Sequence, residues 1–448
     1  MTPAGSAAGR EPASRCRANR ENGVVNIRGA VLVTGTEVLS GGIRDRNGPW
    51  ISQRLGALGV EVEGIHQVGD RPEDLLATLE FMRGRGIDLI VTSGGLGPTA
   101  DDLTAEVVGR FAGRPLHLDE KMERKIEAIL AGFARRFTFD PESLRAANRK
   151  QAMVPEGAVP IDPVGTAPGL VVPAGDQVVI VLPGPPRELQ GMWESAIAAA
   201  PAREMLARAE PYQELALRLF GVPESDLAAT LREIGARTDL SALEITTCLR
   251  GGELEVDVRY RDGAEEAAAA LRTGLVERHG PLVFSETGQS VTEVVVGLLD
   301  SRTIAVAESC TSGLLAARLT DCPGSSTYFL GGVVAYSNDA KVELLGVPAE
   351  LIARTGAVST EVAEAMADGA IERFGADIGV GITGIAGPDG GTQNKPVGYV
   401  CISAAVRGGG RRTRDPVLPG GRADVRERSV TAALHLVRNL LLGEQPPR

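Results

Sequence analysis

Between residues 24 and 189, short runs of β-branched and apolar residues alternate with amphipathic stretches. Residues 30–34, 60–66 and 88–92 have the length and composition of strands, whereas residues 48–58 and 72–83 repeat their apolar positions at helical spacing. The alternation predicts a β-α-β-α-β unit with a parallel sheet. Two further strand-like runs, 169–172 and 177–182, end at Pro183-Gly184-Pro185-Pro186, which marks a rim loop or the end of a domain. From about 190 to 285 the pattern becomes that of a small α+β unit. It has a strand-like run at 214–220, a helix after Pro223, strands near 243–249 and 254–260 joined by the hairpin turn Arg250-Gly251-Gly252, and an alanine-rich helix. Beyond Glu286, helices at 291–299, 314–319 and 362–374 alternate with buried strands at 303–307, 329–335, 378–382 and 398–404. The expected organisation is a disordered tail at 1–22 and three folded pieces, 23–189, 190–285 and 286–445.

A length of 448 residues suits two or three cores rather than one, and a 43% hydrophobic, 23% charged composition is that of a folded globular chain. The formal net charge of −11 argues against a nucleic-acid-coating protein, which needs clustered positive charge. Cys16, Cys248, Cys310, Cys322 and Cys401 are far apart with no C-x-x-C pair, so they read as reduced thiols in a cytosol. No run approaches the roughly 18 apolar residues of a membrane span. The Pro/Ala/Arg-rich start lacks the apolar stretch of a signal peptide, and a cytoplasmic protein is expected. Lysine occurs only at positions 121, 125, 150, 341 and 395, which makes amine chemistry easy to locate.

Three segments put small and polar residues directly after buried strands, where open α/β sheets bind ligands. They are A-E-S-C-T-S-G at 307–313, V-A-Y-S-N-D-A-K at 334–341 and G-I-T-G-I-A-G-P at 381–388; a fourth polar patch, G-S-S-T, occupies 324–327. In the first, hydroxyls open a helix, so backbone N–H groups and the positive end of the helix dipole suit an oxyanion or a phosphate. Ordinary capping by Ser309, Thr311 and Ser312 is the alternative.

A serine attacking an amide needs a proton acceptor and oxyanion donors. The only histidine in this region, His435, sits in the apolar pattern of a terminal helix and reads as a packing or surface residue, and metal-ligand spacings are absent. The amines are Lys341 and Lys395. A lysine acts as a base only if its pKa falls from about 10.4 toward 7 or 8, roughly 4 kcal/mol, through burial or a neighbouring donor. Lys341 follows a buried strand with Tyr336 and Asn338 close in sequence, although a surface lysine opening a helix would look the same; Lys395, in Q-N-K-P, looks like an exposed turn. Cys310 is the rival nucleophile beside Ser309.

These segments, with G-A-V-S, G-I-T-G-I-A-G-P-D-G-G and N-K-P-V-G, closely resemble the nicotinamide-nucleotide amidohydrolase domain of the CinA family over most of residues 286–442. The resemblance implies hydrolysis of nicotinamide mononucleotide to nicotinic acid mononucleotide and ammonia, in pyridine-nucleotide salvage, without a cofactor. It implies Ser309 as nucleophile, Lys341 as base and Tyr336 beside them. Ser326, Thr383, Gly384 and Asn338 would line the substrate site, and Arg422, in L-P-G-G-R, would meet the substrate phosphate. Ser312 stands where the family usually has a second glycine, and Gly421 where an aspartate is common.

Residues 87–102 read as a buried strand, a glycine-rich loop and a helix start. Ser93, Gly94, Gly95, Gly97, Thr99 and Asp102 would let the backbone approach a phosphate or diphosphate, and Asp101 with Asp102 would hold a divalent cation or simply cap the helix. The loop has no lysine and is not a P-loop. With G-T-E-V-L-S-G at 35–41 and L-P-G-P-P-R-E at 182–188, it resembles the molybdopterin-binding-like front half of CinA proteins, although Ala100 replaces the usual arginine. Some members hydrolyse ADP-ribose with a divalent metal, which extends to this chain as a second expectation. The middle piece is similar to the KH-like subdomain of the same family but has no G-x-x-G between its helices, so RNA is not an expected ligand. The expected fold is therefore α/β: a molybdopterin-binding-like three-layer domain, a KH-like α+β unit and an α/β amidohydrolase domain. Small nucleotides are the expected partners and a homodimer the expected assembly. A non-catalytic nucleotide-binding or competence accessory protein is the competing class.

Overall fold

The computed structural model describes residues 27–133 and 141–443, and the expected tail with Cys16 lies outside them. The chain divides between Tyr212 and Gln213 into two compact units.

In the first unit a six-stranded sheet runs Glu61–Val68, Arg28–Thr34, Leu89–Ser93, Gln177–Leu182, Gly169–Ala174, Val159–Ile161. The first four strands pair in parallel, as expected for the β-α-β-α-β unit, and the last two pairings are antiparallel, so the complete sheet is mixed. The physical reason is the two-residue connection after Gly169–Ala174, which closes a hairpin but cannot carry a parallel crossover. Alternate side chains of the buried strands face opposite ways. Val31 and Val33 pack with Ile51, Leu55, Met192 and Trp193, while Ala30 and Leu32 pack with Leu79, Met82, Val108 and Phe111. Helices Asn47–Ala57 and Pro186–Ala198 thus cover one face, and Pro72–Gly84 and Thr104–Ala112 the other. Arg28–Thr34 lies between its two successors in sequence, so the strand order reverses beside it and opens a crevice at the carboxyl ends. The ribbon Leu116–Leu118 with Met153–Pro155 and the helices Glu120–Phe133 and Pro141–Gln151 were not assigned from the sequence.

The second unit holds two sheets. An antiparallel one, ordered Glu244–Arg250, Glu253–Tyr260, Gln213–Phe220, Val283–Ser285, packs Leu217, Leu219, Val256 and Val258 against Leu271 and Leu275. The other runs Phe329–Val334, Ile304–Glu308, Ile378–Gly384, Val400–Val406, Arg411–Arg414; its first two pairings are parallel and its last two antiparallel, so only Val400–Val406 runs against the rest. Thr360–Phe374 covers one face, and Val291–Leu299 with Arg422–Leu442 the other. A Cβ at Gly381 would lie 2.1 Å from the Ala363 carbonyl oxygen, so only glycine lets that helix sit on the strand. Phe329–Val334, expected to be buried, is an edge strand with Leu330 and Val334 exposed. His435 packs as expected: it is buried, stacks on Phe220 at 3.8 Å and places Nε2 2.6 Å from Glu253 Oε1. Among the described residues no helix is long and apolar enough to cross a membrane.

Candidate active site

Two parallel strands deliver the chemistry. Ile304–Glu308 hands over to Ser309, whose N–H donates to the Ile382 carbonyl at 2.9 Å and so keeps this residue in line with the adjacent strand. On the other side Ala335 and Tyr336 leave the edge strand, Ser337 caps the helix Asn338–Leu345 through the Ala340 N–H, and Lys341 falls on the inner side of that helix's first turn. Lys341 is 1% exposed, and Nζ lies 3.2 Å from Ser309 Oγ, 2.9 Å from the Ala335 carbonyl and 3.2 Å from the Tyr336 carbonyl. No carboxylate pairs with it among the described residues. Burial pulls its pKa below the ordinary lysine value. In the neutral amine the two N–H bonds are satisfied by the two carbonyls, which leaves the lone pair for the Ser309 hydroxyl.

Cys310 is buried and its thiol is pushed up to about 12 by desolvation, so it is not the ionised nucleophile. Thr383 is buried at the end of the neighbouring strand, with its hydroxyl donating to the Ala357 carbonyl at 2.8 Å. Gly384 lies beside Cys310, where a Cβ would sit 3.1 Å from the sulfur. Tyr336 is 61% exposed and meets Lys341 through its carbonyl; its hydroxyl is 3.5 Å from Arg422 Nη2. Arg422 opens the 21-residue helix Arg422–Leu442 and also donates to the Gly387 carbonyl at 2.8 Å. Asn338 is exposed at the helix start.

The structure corrects three expectations. The N-terminus of Leu314–Thr320 is not open to a ligand anion, because the buried Glu308 carboxylate accepts the N–H groups of Gly313, Leu315 and Ala316 at 3.0, 3.1 and 2.9 Å. Ser326 is not brought to this site: Phe329 aligns with Ile304 and Val334 with Glu308, so the residues before Phe329 lie at the opposite end of the strands from Ser309. Lys395 is not a free turn residue, since Nζ donates to the Thr355 and Val358 carbonyls at 2.8 and 2.6 Å. Two participants were missed. Besides Glu308, Arg426 donates to the Cys310 and Thr311 carbonyls at 3.1 Å each. Both are ordinary charged residues in sequence; only the glutamate's position at the end of an apolar strand was a signal.

Residues 288–441 match the CinA C-terminal domain, and residues 30–202 match the probable molybdopterin binding domain. A CinA-like protein of Mycolicibacterium gilvum is 57% identical over 421 residues, covering 94% of this chain and all of the relative. The chain belongs to the CinA family. A CinA-like protein of Mycobacterium marinum is also 57% identical, over 93% of this chain and 99% of that one. Among solved structures, a competence/damage inducible protein of Agrobacterium tumefaciens is 39% identical over 32% of this chain and 89% of its own, with a TM-score of 0.31.

In the front unit of this CinA-family chain, the expected loop lies at the crevice where the strand order reverses. Ser93 is buried and accepts a hydrogen bond from Asn47 Nδ2 at 2.9 Å; the same amide reaches the Gly184 carbonyl at 2.6 Å. Gly94, at φ 109°, passes so close to Thr34 that a Cβ would lie 2.5 Å from its carbonyl oxygen. Beyond it, Gly95, Leu96, Asp102, Glu106, Lys150 and Gln151 line a cavity of about 130 Å³. A Cβ at Gly97 would collide with the Asp102 carboxylate. Asn47 and Lys150 escaped the sequence reading, Lys150 because it arrives from a distant helix to donate to the Thr99 carbonyl. Asp101 and Asp102 both accept from the Thr99 hydroxyl, which holds the Asp101 carboxyl below its usual range. No group of three or more His, Cys, Asp or Glu suited to a metal occurs among the described residues. The pair therefore does not form a preformed metal cage.

Proposed function

We propose that the second unit hydrolyses the carboxamide of nicotinamide mononucleotide, giving nicotinic acid mononucleotide and ammonia. The observation that carries this reading is the buried Lys341 amine 3.2 Å from the Ser309 hydroxyl, with no carboxylate among the described residues to keep it charged. Lys341 takes the Ser309 proton as Oγ attacks the carboxamide carbon, and the resulting ammonium returns the proton to the departing nitrogen. The product of this half is an acyl ester on Ser309 and ammonia. Water, deprotonated by the same amine, then attacks the ester, and the carboxylate leaves as Ser309 recovers its proton. Among the described residues the N–H groups of Cys310 and Thr311 donate to no backbone carbonyl, and they stand beside the nucleophile as donors for the oxyanion.

With the nearer helix terminus closed by Glu308, the phosphate belongs at Arg422, where a guanidinium and the positive end of a long helix coincide. Tyr336, exposed between Lys341 and Arg422, supports a stacking face for the ring.

The test is ammonia release from nicotinamide mononucleotide by the full chain, with and without chelator. Turnover that resists chelator and is lost in both Ser309→Ala and Lys341→Ala is expected. Turnover that survives Ser309→Ala would overturn the assignment of the nucleophile, and none in the intact chain would overturn the substrate.

A further inference from the structure

Helices Ala349–Thr355 and Thr360–Phe374 are joined by a short connection, and among the described residues none of the carbonyls of Thr355, Gly356, Ala357 and Val358 accepts from a backbone N–H. Side chains take all four instead. Ser359 Oγ donates to the Gly356 carbonyl at 3.2 Å and Thr383 Oγ1 to the Ala357 carbonyl at 2.8 Å. Lys395 Nζ gathers the carbonyls on either side, Thr355 at 2.8 Å and Val358 at 2.6 Å. An ammonium has three donors and no acceptor, which suits a point on which carbonyls converge. The backbone that delivers it is itself fixed: the Lys395 N–H donates to Thr392 Oγ1 at 3.0 Å, and its carbonyl accepts from the Thr392 N–H at 2.8 Å.

What this cluster controls is the direction of one hydroxyl. Ser309 continues the strand Ile304–Glu308, and Thr383 lies in the strand beside it, where Glu308 aligns with Ile382. Ala305, Ala307 and Gly381 face the helix Thr360–Phe374, so Ser309 and Thr383, next in the alternation, come out side by side on that same face. A hydroxyl has one hydrogen. That of Thr383 is committed to the Ala357 carbonyl, so toward Ser309 the oxygen offers only lone pairs. An acceptor there matches the N–H of a carboxamide. It opposes an ester oxygen or a product carboxylate, neither of which has a hydrogen to give.

We propose that Lys395 is a positioning residue for the reaction: by gathering the Thr355 and Val358 carbonyls it holds the Ala357 carbonyl against Thr383, and so sets Thr383 Oγ1 as the acceptor that selects an amide over an ester. The proposal rests on the amidase reading. Lys395 itself touches no substrate. With one N–H held by Thr383, the leaving nitrogen keeps its lone pair for the proton that Lys341 returns. Without the ammonium, two carbonyls lose their donor, the connection shifts, and the Thr383 hydroxyl is free to turn and donate.

The experiment compares two substrates on the full chain, nicotinamide mononucleotide and the methyl ester of nicotinic acid mononucleotide, which give the same acyl enzyme. The amide-to-ester ratio of kcat/KM should fall about tenfold in Lys395→Met and in Thr383→Val, the worth of one hydrogen bond. The double variant should fall no further than Thr383→Val alone. Lys395→Cys treated with bromoethylamine, which rebuilds an ammonium at lysine length, should return the ratio to that of the intact chain treated in the same way. A residue that only supports the fold would cost both substrates alike, so an unchanged ratio overturns the proposal, as does an additive double variant. If Lys395→Met does not fold, Lys395→Gln, with a donor for one of the two carbonyls, should give a smaller fall in the same direction. An intact chain that cleaves neither substrate overturns the amidase reading and this proposal with it. An intact chain that cleaves both, with the ratio unmoved in the variants, overturns this proposal alone.

Discussion

At the scale of single residues, the chemistry turns on how two side chains are held. Lys341 is desolvated and faces only carbonyls and a hydroxyl, so its neutral form is favoured at lower pH than for a free lysine. The rate should therefore rise with pH until Lys341 is deprotonated, with the acid limb of kcat/KM below the normal lysine range. Lys341→Arg keeps the charge but cannot lose its proton, and should lower kcat by about 10²- to 10⁴-fold, read in an ammonia assay. Ser312 is at φ 51°, a left-handed conformation that costs an L-residue about 1 kcal/mol, and its hydroxyl recovers part of this through the Ser309 carbonyl at 3.2 Å. Ser312→Gly should raise stability by a few tenths to about 1 kcal/mol, seen as a higher urea midpoint, without loss of turnover. A drop in midpoint would mean that the hydroxyl contact outweighs the strain.

Elements are organised around Ser309 by two charged side chains. Glu308 ties three N–H groups at the start of Leu314–Thr320, and Arg426 ties the Cys310 and Thr311 carbonyls from the long terminal helix, so the loop between is fixed at both its donors and its acceptors. Glu308→Gln replaces one acceptor oxygen by an NH2 that faces N–H groups, leaving buried donors unsatisfied at about 1–3 kcal/mol. Stability should fall by that amount in urea, and kcat should drop at least tenfold with KM little changed, because Ser309 moves while the proposed phosphate contact at Arg422 stays. An unchanged kcat would show that the carboxylate serves only the helix. This clamp was also the least legible part of the site. The strand ends carrying Ser309, Lys341 and Thr383 were readable because apolar runs followed by small polar residues have a local pattern. Whether Glu308 points into the helix terminus, and which end of the sheet Ser326 reaches, depend on side-chain direction and strand register, which no local pattern encodes. The same limit explains the mixed first sheet: every strand except Val159–Ile161 was visible, but their directions follow from connection length and pairing partner.

Across the second unit, the antiparallel sheet and the sheet that carries Ser309 are joined through His435, which comes from the terminal helix and packs between Phe220 and Phe284 with Nε2 on Glu253. Burial lowers the His435 pKa; the Glu253 carboxylate opposes this and the nearby Arg438 reinforces it. The neutral ring with Nε2 protonated is then the native form, and it donates to Glu253. A histidine whose folded pKa lies below its unfolded value of about 6.5 binds fewer protons when native, so its contribution to stability is complete above about pH 6.5 and is lost as pH falls through that value toward the folded pKa. Thermal unfolding of the intact chain between pH 8 and pH 5 should therefore show Tm falling on the acid side. His435→Gln, which keeps a donor but does not titrate, should start from a lower Tm at pH 8 because the ring stacking is gone, and fall less steeply. Parallel curves for the two proteins would place the acid sensitivity on other groups and leave His435 a packing residue alone.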